Sequence, residues 1–172
     1  NTLNLTFQHI LTRINFAVKL AESNYTYTVE SITITGAKGG AATYTFGGTE
    51  GKGGNWNITG SAPASGYSYT FDNTVTAKDD IYDYTQNNNS LMLYPQSLTD
   101  AKITVKYKTE KDNATFFNGS KEVALTGEWT NGQSIRYILT LPVGAEKMSV
   151  NTTYDEDWNA TDNEQTPKTP VL

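Results

Sequence analysis

The 172-residue chain contains no cysteine and only one histidine. Without cysteine it can form no disulfide, no thiolate metal site and no cysteine nucleophile. The single histidine, His9, excludes a metal site built from several histidines and leaves one imidazole as a candidate base. Charged residues are also scarce, at 18%, and acidic residues outnumber basic ones by 18 to 13, a net charge of −5. Without a basic stripe, we expect neither nucleic acid nor an anionic membrane surface as a partner.

Long apolar runs are missing as well. No run approaches the ~20 residues of a membrane-spanning helix, and no stretch of about ten residues carries apolar side chains at helical spacing. The chain is instead rich in threonine (27), asparagine (16) and tyrosine (11). Threonine and tyrosine favour strands, whereas asparagine and glycine favour turns. The composition therefore predicts an all-β protein with polar, weakly charged faces.

Alternating apolar and polar residues recur along the chain, as in half-buried strands. The apolar set is odd-numbered over residues 3–7 and even-numbered over residues 14–20, and a strand that changes parity needs a one-residue offset. We therefore expect a bulge or tight turn at His9–Thr12, with a short helix as the alternative. The same change of parity recurs between Val29 and Ile32.

Turn and loop signals divide the rest of the chain. Asn118-Gly119 predicts a hairpin turn within a weak strand pair, and Pro95 ends the strand before it. The glycine-rich residues 47–66 predict an irregular segment that Trp56 fixes to a sheet edge, and the polar residues 76–90 predict a long surface loop. The further predicted strands are Ala42–Phe46, Tyr67–Val75, Leu91–Tyr94, Ile103–Tyr107, Phe116–Leu125, Ile135–Leu141 and Met148–Val150.

Short strands separated by turn signals predict a two-sheet antiparallel β-sandwich of about seven to nine strands. We place this domain in residues 1–158. Residues 159–172 are almost without apolar side chains and predict an extended or disordered tail. A strand donated to a neighbour is the alternative for this tail, but its apolar content of Val171 and Leu172 alone favours a linker.

The acidic residues do not form a catalytic or metal-binding pattern. Glycoside hydrolysis needs two carboxylates in a cleft, and calcium needs an ordered set of oxygen ligands, whereas the acidic clusters lie in polar segments typical of solvated loops. His9 has no nucleophile-elbow motif to serve and is interpreted as a structural histidine. We expect no enzyme activity, no metal and no cofactor. The acidic clusters are Asp79, Asp80 and Asp83, and Asp155, Glu156 and Asp157.

Aromatic side chains suggest an alternative function. Aromatic rings stack on the apolar faces of sugars, and Trp56, Tyr82 and Tyr84 are candidates for a glycan-stacking platform. Core packing or the cover of a sheet edge explains the same residues and is the interpretation we favour.

Four blocks of the sequence match one family in order. Leu5–Leu20 (LTFQHILTRINFAVKL) follows F-x-H-A-L-[ST]-[KR]-[ILV]-x-F except at Ile10. Leu91–Tyr107 contains a PQ block, and Trp129–Leu141 follows W-x-x-G-x-x-Y-x-Y except at Ile135. With Val29–Gly36 as a second strand, these blocks resemble the fimbrillin-like surface proteins of Bacteroidales. The signature residues are Phe7, His9, Arg13, Phe16, Pro95, Gln96, Trp129, Gly132 and Tyr137.

This resemblance implies a two-domain, transthyretin-like β-sandwich lipoprotein that reaches the cell surface and builds, caps or anchors a fimbria at the outer membrane. The histidine block usually opens the C-terminal half of such proteins, which implies that this chain is the C-terminal domain. The implied partners are other fimbrial subunits, joined by a strand that passes between them and fills a groove opened by proteolytic removal of an N-terminal strand. Host or bacterial surface ligands are further candidates.

Overall fold

The computed structural model describes residues 8–47, 53–76, 80–85 and 89–154. Every element in these ranges is a strand, so the predicted all-β class is confirmed. The strands are β1 (Thr12–Leu20), β2 (Thr26–Thr35), β3 (Ala42–Thr45), β4 (Asn55–Ile58), β5 (Tyr67–Val75), β6 (Tyr82–Asp83), β7 (Leu91–Leu93), β8 (Lys102–Lys111), β9 (Ala114–Ala124), β10 (Ser134–Leu141) and β11 (Ser149–Tyr154).

The first sheet has the order β11-β10-β1-β6, and β7 also pairs with β1. β1 and β10 run parallel, in a register that sets Phe16 beside Tyr137 and Val18 beside Leu139. The other pairs of this sheet are antiparallel. Parallel pairs are usually buried on both faces, and here even the outward-facing Ala17 and Ile138 are buried.

The second sheet has the order β5-β2-β8-β9 and is antiparallel throughout. In β2 the register shifts between Val29 and Ser31, so that Glu30 is one extra residue opposite β8. This bulge keeps Val29 and Ile32 in the core although their numbers differ in parity. The offset predicted in this segment is therefore confirmed.

The two sheets pack face to face around one apolar core. Phe16 of β1 contacts Tyr69 of β5 edge to face, with ring centroids 6.3 Å apart. On the other side of the core, the Tyr107 hydroxyl of β8 donates to the carbonyl of Pro142, just after β10, at 2.7 Å. The predicted sandwich is thus confirmed, and Phe71 of β5 contacts Tyr84, just after β6, at 4.7 Å between ring centroids.

The strand count and two loop predictions were wrong. The described ranges alone contain eleven strands instead of the expected seven to nine. Residues 47–66 contain β4, which pairs with β3 in a register that places Trp56 opposite Tyr44. Residues 76–90 contain β6, which pairs with β1 at Val18. These elements have two to four residues each, too few for an alternating pattern to show in sequence.

The hairpin turn was predicted at the wrong place. β9 continues through Asn118-Gly119, and the turn lies at Asp112-Asn113, between the paired Lys111 and Ala114. Both turn residues have positive φ, 49° and 63°. A two-residue hairpin needs such angles, and Asp and Asn tolerate them. The turn at Asp112-Asn113 lets β9 pair with β8 from Lys102 to Lys111.

Candidate subunit-contact surfaces

Three signature residues meet inside the sandwich. The Trp129 Nε1–H donates to the Tyr137 hydroxyl at 2.8 Å, and both side chains are buried. The Tyr137 ring stacks on Phe16 at 6.5 Å between centroids. Burial raises the pKa of Tyr137, and the hydrogen bond from Trp129 opposes this rise. These contacts join the first and the last of the four family blocks, so the role of the three residues is structural.

The turn between Trp129 and β10 contacts the beginning of β1. Gly132 has a φ of +67°, and its amide donates to the Leu11 carbonyl at 3.1 Å. The Arg13 Nε–H donates to the Ser134 hydroxyl at 2.9 Å. His9 precedes these contacts and is exposed. Phe7, the remaining signature residue of this block, lies outside the described residues, as do residues 1–6.

The side-chain amide of Gln96 forms hydrogen bonds with both backbone groups of Lys38, as a neighbouring strand would. Its Oε1 accepts from the Lys38 amide at 2.7 Å, and its Nε2 donates to the Lys38 carbonyl at 3.1 Å. Its own carbonyl accepts from the Trp129 amide at 2.9 Å. Pro95 separates it from β7. Gln96 therefore ties the segment after β2 to the segment before β10, a role for which the sequence offers no signal beyond the family block.

One side of the sandwich presents two unprotected strand edges. β9 ends the second sheet and β11 ends the first, and residues of both line one cavity, so the two edges lie on the same side. Within the described ranges no strand pairs with the outer edge of either one. Side chains of β9 alternate between exposed and half-buried from Phe117 onward. Such an edge is a template for pairing with another chain.

The opposite side of the sandwich is formed by β5 of the second sheet and by the short strands β6 and β7 of the first. β6 and β7 pair with successive parts of β1. Between them, the Thr85 hydroxyl accepts from the Phe16 amide at 2.8 Å. Arg136 holds β6 in place by an ion pair with Asp83 at 2.6 Å. The edges of β9 and β11, of eleven and six residues, are therefore longer than those of β5, β6 and β7, of nine, two and three residues.

A cavity of about 150 Å³ lies between β9 and β11. Its inner wall contains the buried Trp129 and Tyr137, and its rim contains the exposed Glu128 and Tyr154. Thr152 of β11, directly opposite Tyr137 in the first sheet, also lines it. The sequence patterns did not indicate this cavity, because it arises where two strands distant in the chain fail to close over the core.

The candidate glycan-stacking residues do not form one surface. Trp56 lies between the rings of Tyr44 and Tyr94, at 5.0 and 4.6 Å, and its Nε1–H donates to the Ile10 carbonyl at 2.7 Å. Tyr82 is half-buried on β6. Tyr84 is buried against Phe71 at 4.7 Å, so its ring offers no open face to a sugar. Trp56 thus fixes the β3–β4 hairpin to the segments before β1 and after β7, rather than an irregular loop to a sheet edge.

In the described part of the chain, no group of three or more His, Asp and Glu side chains is placed to hold a metal ion. Asp155, Glu156 and Asp157 fall outside the described residues, as does Asp79. No helix of the described ranges is long and apolar enough to cross a membrane.

The fold and these surfaces define a β-sandwich scaffold with two free strand edges on one side. Residues 1–158 match the model of the fimbrillin-like family. The chain therefore belongs to the fimbrillin-like family.

Two solved structures are similar to the chain. One is a fimbrial protein from Bacteroides vulgatus, with a TM-score of 0.58 and 16% identity over 86% of this chain and 54% of that one. The other, assigned to cell adhesion, is from Bacteroides uniformis, with a TM-score of 0.44 and 11% identity over 88% and 52%. The chain thus spans about half the length of each. No curated protein matches it.

Proposed function

We propose that the chain is part of a non-enzymatic fimbrial subunit or adhesin, which assembles by strand addition at its sheet edges. Family membership supports the fimbrial part of this proposal. The location of two free edges, β9 and β11, on one side of the sandwich is the observation that carries the strand addition.

The outer edge of β9 suits an incoming strand. Its eleven residues extend along the whole side of the second sheet. A strand added in register continues the backbone hydrogen bonds of the sheet, while its alternate side chains point towards the cavity between β9 and β11. The partner segment is therefore expected to carry apolar residues at every second position. Charged side chains on an edge strand discourage pairing with another strand. On β9, Lys121 and Glu122 have opposite charges, so their effect on an incoming strand is weak.

Protease trimming of the full-length precursor, followed by electron microscopy, tests the proposal. We expect filaments after trimming and single particles before it. Particles that stay single after complete trimming would contradict a role as a polymerising subunit.

Two neighbouring proline variants test whether β9 receives the strand. Successive amides of a strand point to opposite sides, so one of Ser120 and Lys121 donates towards β8 and the other outward. Proline removes the amide hydrogen. We expect one of Ser120→Pro and Lys121→Pro to destabilise the sheet, and the other to leave stability nearly unchanged but block filament growth. Normal filaments from both variants would rule out β9.

The place of this protein on the cell follows from the same proposal. A fimbrial subunit is exported to the bacterial surface, and we propose an outer-membrane fimbria reached by way of a lipoprotein precursor. Host or bacterial surface molecules are its expected ligands. Cell fractionation with an antibody to the chain, with and without surface protease, tests this location.

A carbohydrate-binding module is the second candidate. A row of rings supports it: Phe46, 75% exposed, contacts Tyr44 at 5.1 Å, and Tyr44 contacts Trp56. A glycan array tests it with Trp56→Ala and Tyr82→Ala as variants and Phe46→Ala as a third. Specific sugar binding that these variants abolish would favour this function over subunit assembly.

A further inference from the structure

The β3–β4 hairpin lies outside both sheets of the sandwich. Its two strands form a separate sheet, and a two-stranded sheet alone is marginally stable in water. The Trp56 Nε1–H donates to the Ile10 carbonyl at 2.7 Å, and the Asn131 side chain donates to the Gly54 carbonyl at 2.8 Å. These bonds fix the hairpin at the end of the sandwich where β1 and β10 begin.

The composition of this hairpin is that of a contact surface. Its described parts, residues 42–47 and 53–58, contain no charged side chain. Phe46 is 75% exposed, more than any other large apolar side chain in the described ranges, and its ring contacts Tyr44 at 5.1 Å. The centres of interfaces between proteins are depleted in charge and enriched in aromatic residues. The hairpin therefore differs from a solvated loop in the way that an interface does.

The rings of the hairpin are inclined to one another. The angle between ring planes is 88° for Phe46 and Tyr44, 52° for Tyr44 and Trp56, and 48° for Trp56 and Tyr94. Rings inclined in this way present edges as well as faces. Such a surface suits packing against the side chains of another protein surface better than stacking on the flat face of a sugar.

The first and last residues that the structure describes lie at the same end of the sandwich as the hairpin. Gln8 is two residues before Ile10, whose carbonyl binds the hairpin. Tyr154 pairs with Ile135, near the beginning of β10. Residues 1–7 span at most about 25 Å. Any protein joined before residue 1 therefore starts within about this distance of Gln8, beside the hairpin.

A partner joined to the chain meets this surface before a free one does. A linker of a few residues gives the two parts that it joins an effective concentration in the millimolar range. The similar fimbrial protein from Bacteroides vulgatus is longer than this chain, which covers 54% of it. A further domain of comparable size is therefore the expected neighbour of the hairpin.

We propose that the β3–β4 hairpin, with Phe46 at the centre of the contact, packs against a second domain of a longer protein that is joined before residue 1. Interfaces between domains of one chain resemble those between separate proteins, so the uncharged aromatic surface and the short tether act together. The contact forms within one molecule. It therefore adds to the proposed function without depending on strand addition at β9.

Cysteine labelling measures whether Phe46 is covered in the longer protein. The chain has no cysteine, so Phe46→Cys adds one thiol, and the unsubstituted full-length protein is the blank for cysteines outside the chain. We expect a maleimide dye to label this thiol at least about tenfold more slowly in the full-length protein than in the chain alone, because it reacts only when the contact opens. Equal rates would overturn the proposal.

Phe116→Cys is the matched control for this labelling. Phe116 is also exposed, and it lies near the β8–β9 turn at the other end of the sandwich. We expect its thiol to react at the same rate in the chain and in the full-length protein. Slowing of both thiols by the same factor would show general crowding of the surface and would overturn the proposal as well.

Amide hydrogen exchange tests the role of the Phe46 ring itself. We expect the amides of β3 and β4 to exchange at least about tenfold more slowly in the full-length protein than in the chain alone, since the domain contact suppresses local opening of the hairpin. Phe46→Ala should remove this additional protection, whereas Phe116→Ala should leave it intact. Protection that survives Phe46→Ala would show that the ring does not form the contact.

The same measurements identify other occupants of the hairpin. Protection that appears in the chain alone and rises with its concentration would assign the hairpin to a contact between copies and overturn the proposal. Specific sugar binding by the full-length protein that Phe46→Ala abolishes would assign it to a glycan and overturn the proposal too. Filament growth tests the proposed function separately, so either inference can fail alone.

Discussion

Two buried tyrosines differ in what their hydroxyl groups contact. The Tyr137 hydroxyl accepts the indole N–H of Trp129 at 2.8 Å. The Tyr84 hydroxyl is buried and has no hydrogen-bond partner among the described residues. A buried polar group without a partner costs about 1–3 kcal/mol, whereas a paired one roughly balances its desolvation. The same change, from tyrosine to phenylalanine, should therefore have different effects at the two positions.

We expect Tyr137→Phe to lower the free energy of unfolding by about 1–3 kcal/mol, because the buried Trp129 N–H loses its acceptor. Tyr84→Phe should be neutral or stabilising, because it removes a hydroxyl that is buried without a partner. Urea unfolding of the two variants and the unsubstituted chain measures both effects. Equal losses in the two variants would show that the hydrogen bond between Trp129 and Tyr137 does not contribute to stability.

At the scale of the strand, the bulge in β2 allows Val29 and Ile32 to face the core together, although a regular strand would place them on opposite faces. Glu30 is the extra residue opposite β8, and its carboxylate pairs with the Lys106 Nζ at 2.7 Å. Without Glu30, the residues Val29, Ser31 and Ile32 would alternate continuously and pair with β8 in an unbroken register. Deletion of Thr33, by contrast, places Ile32 and Ile34 on opposite faces of the sheet.

We expect deletion of Glu30 to be much better tolerated than deletion of Thr33. The first loses a half-exposed ion pair worth at most about 1 kcal/mol and adjusts the pairing with β5, whereas the second exposes at least one core isoleucine, at about 1.5–3 kcal/mol for each side chain. Urea midpoints of the two deletions measure the difference, and Glu30→Ala isolates the ion pair. A deletion of Glu30 that unfolds the chain would show that the bulge is required by β5.

The sequence predicted long elements well and short ones poorly. The bulge in β2 followed from the parity of Val29 and Ile32, because alternation over ten residues records which face is buried. β6 has two residues and is held by β1 and by Arg136, which no local pattern contains. The chain turns at Asp112-Asn113 although Asn118-Gly119 is the stronger turn sequence. The pairing of β9 along all of β8 outweighs the local turn preference of Asn118-Gly119. The side formed by β9 and β11 likewise depends on how strands distant in the chain come together in the fold, which no local pattern records.

At the scale of the whole molecule, tyrosine burial links stability to alkaline pH. Six tyrosines have a pKa raised above the ordinary value of 10.0, and burial is the largest cause for each. They are Tyr27, Tyr67, Tyr69, Tyr84, Tyr107 and Tyr137. In the unfolded chain these groups lose their protons near pH 10, whereas in the folded chain they retain them to higher pH. The stability that they contribute is therefore complete below pH 10 and is lost as the pH rises above it.

We expect the free energy of unfolding to be nearly constant from about pH 8 to 10 and to fall steeply above pH 10, by about 1.4 kcal/mol per pH unit for each tyrosine that stays protonated only in the fold. Tyr84→Phe isolates the tyrosine effect, because it removes one buried titrating group and should make the fall shallower by about one such slope. Urea unfolding at several pH values, with tyrosine ionisation followed by ultraviolet absorbance, measures both quantities. A Tyr84→Phe chain with the same slope as the unsubstituted one would show that buried tyrosine does not control the alkaline limit of this fold.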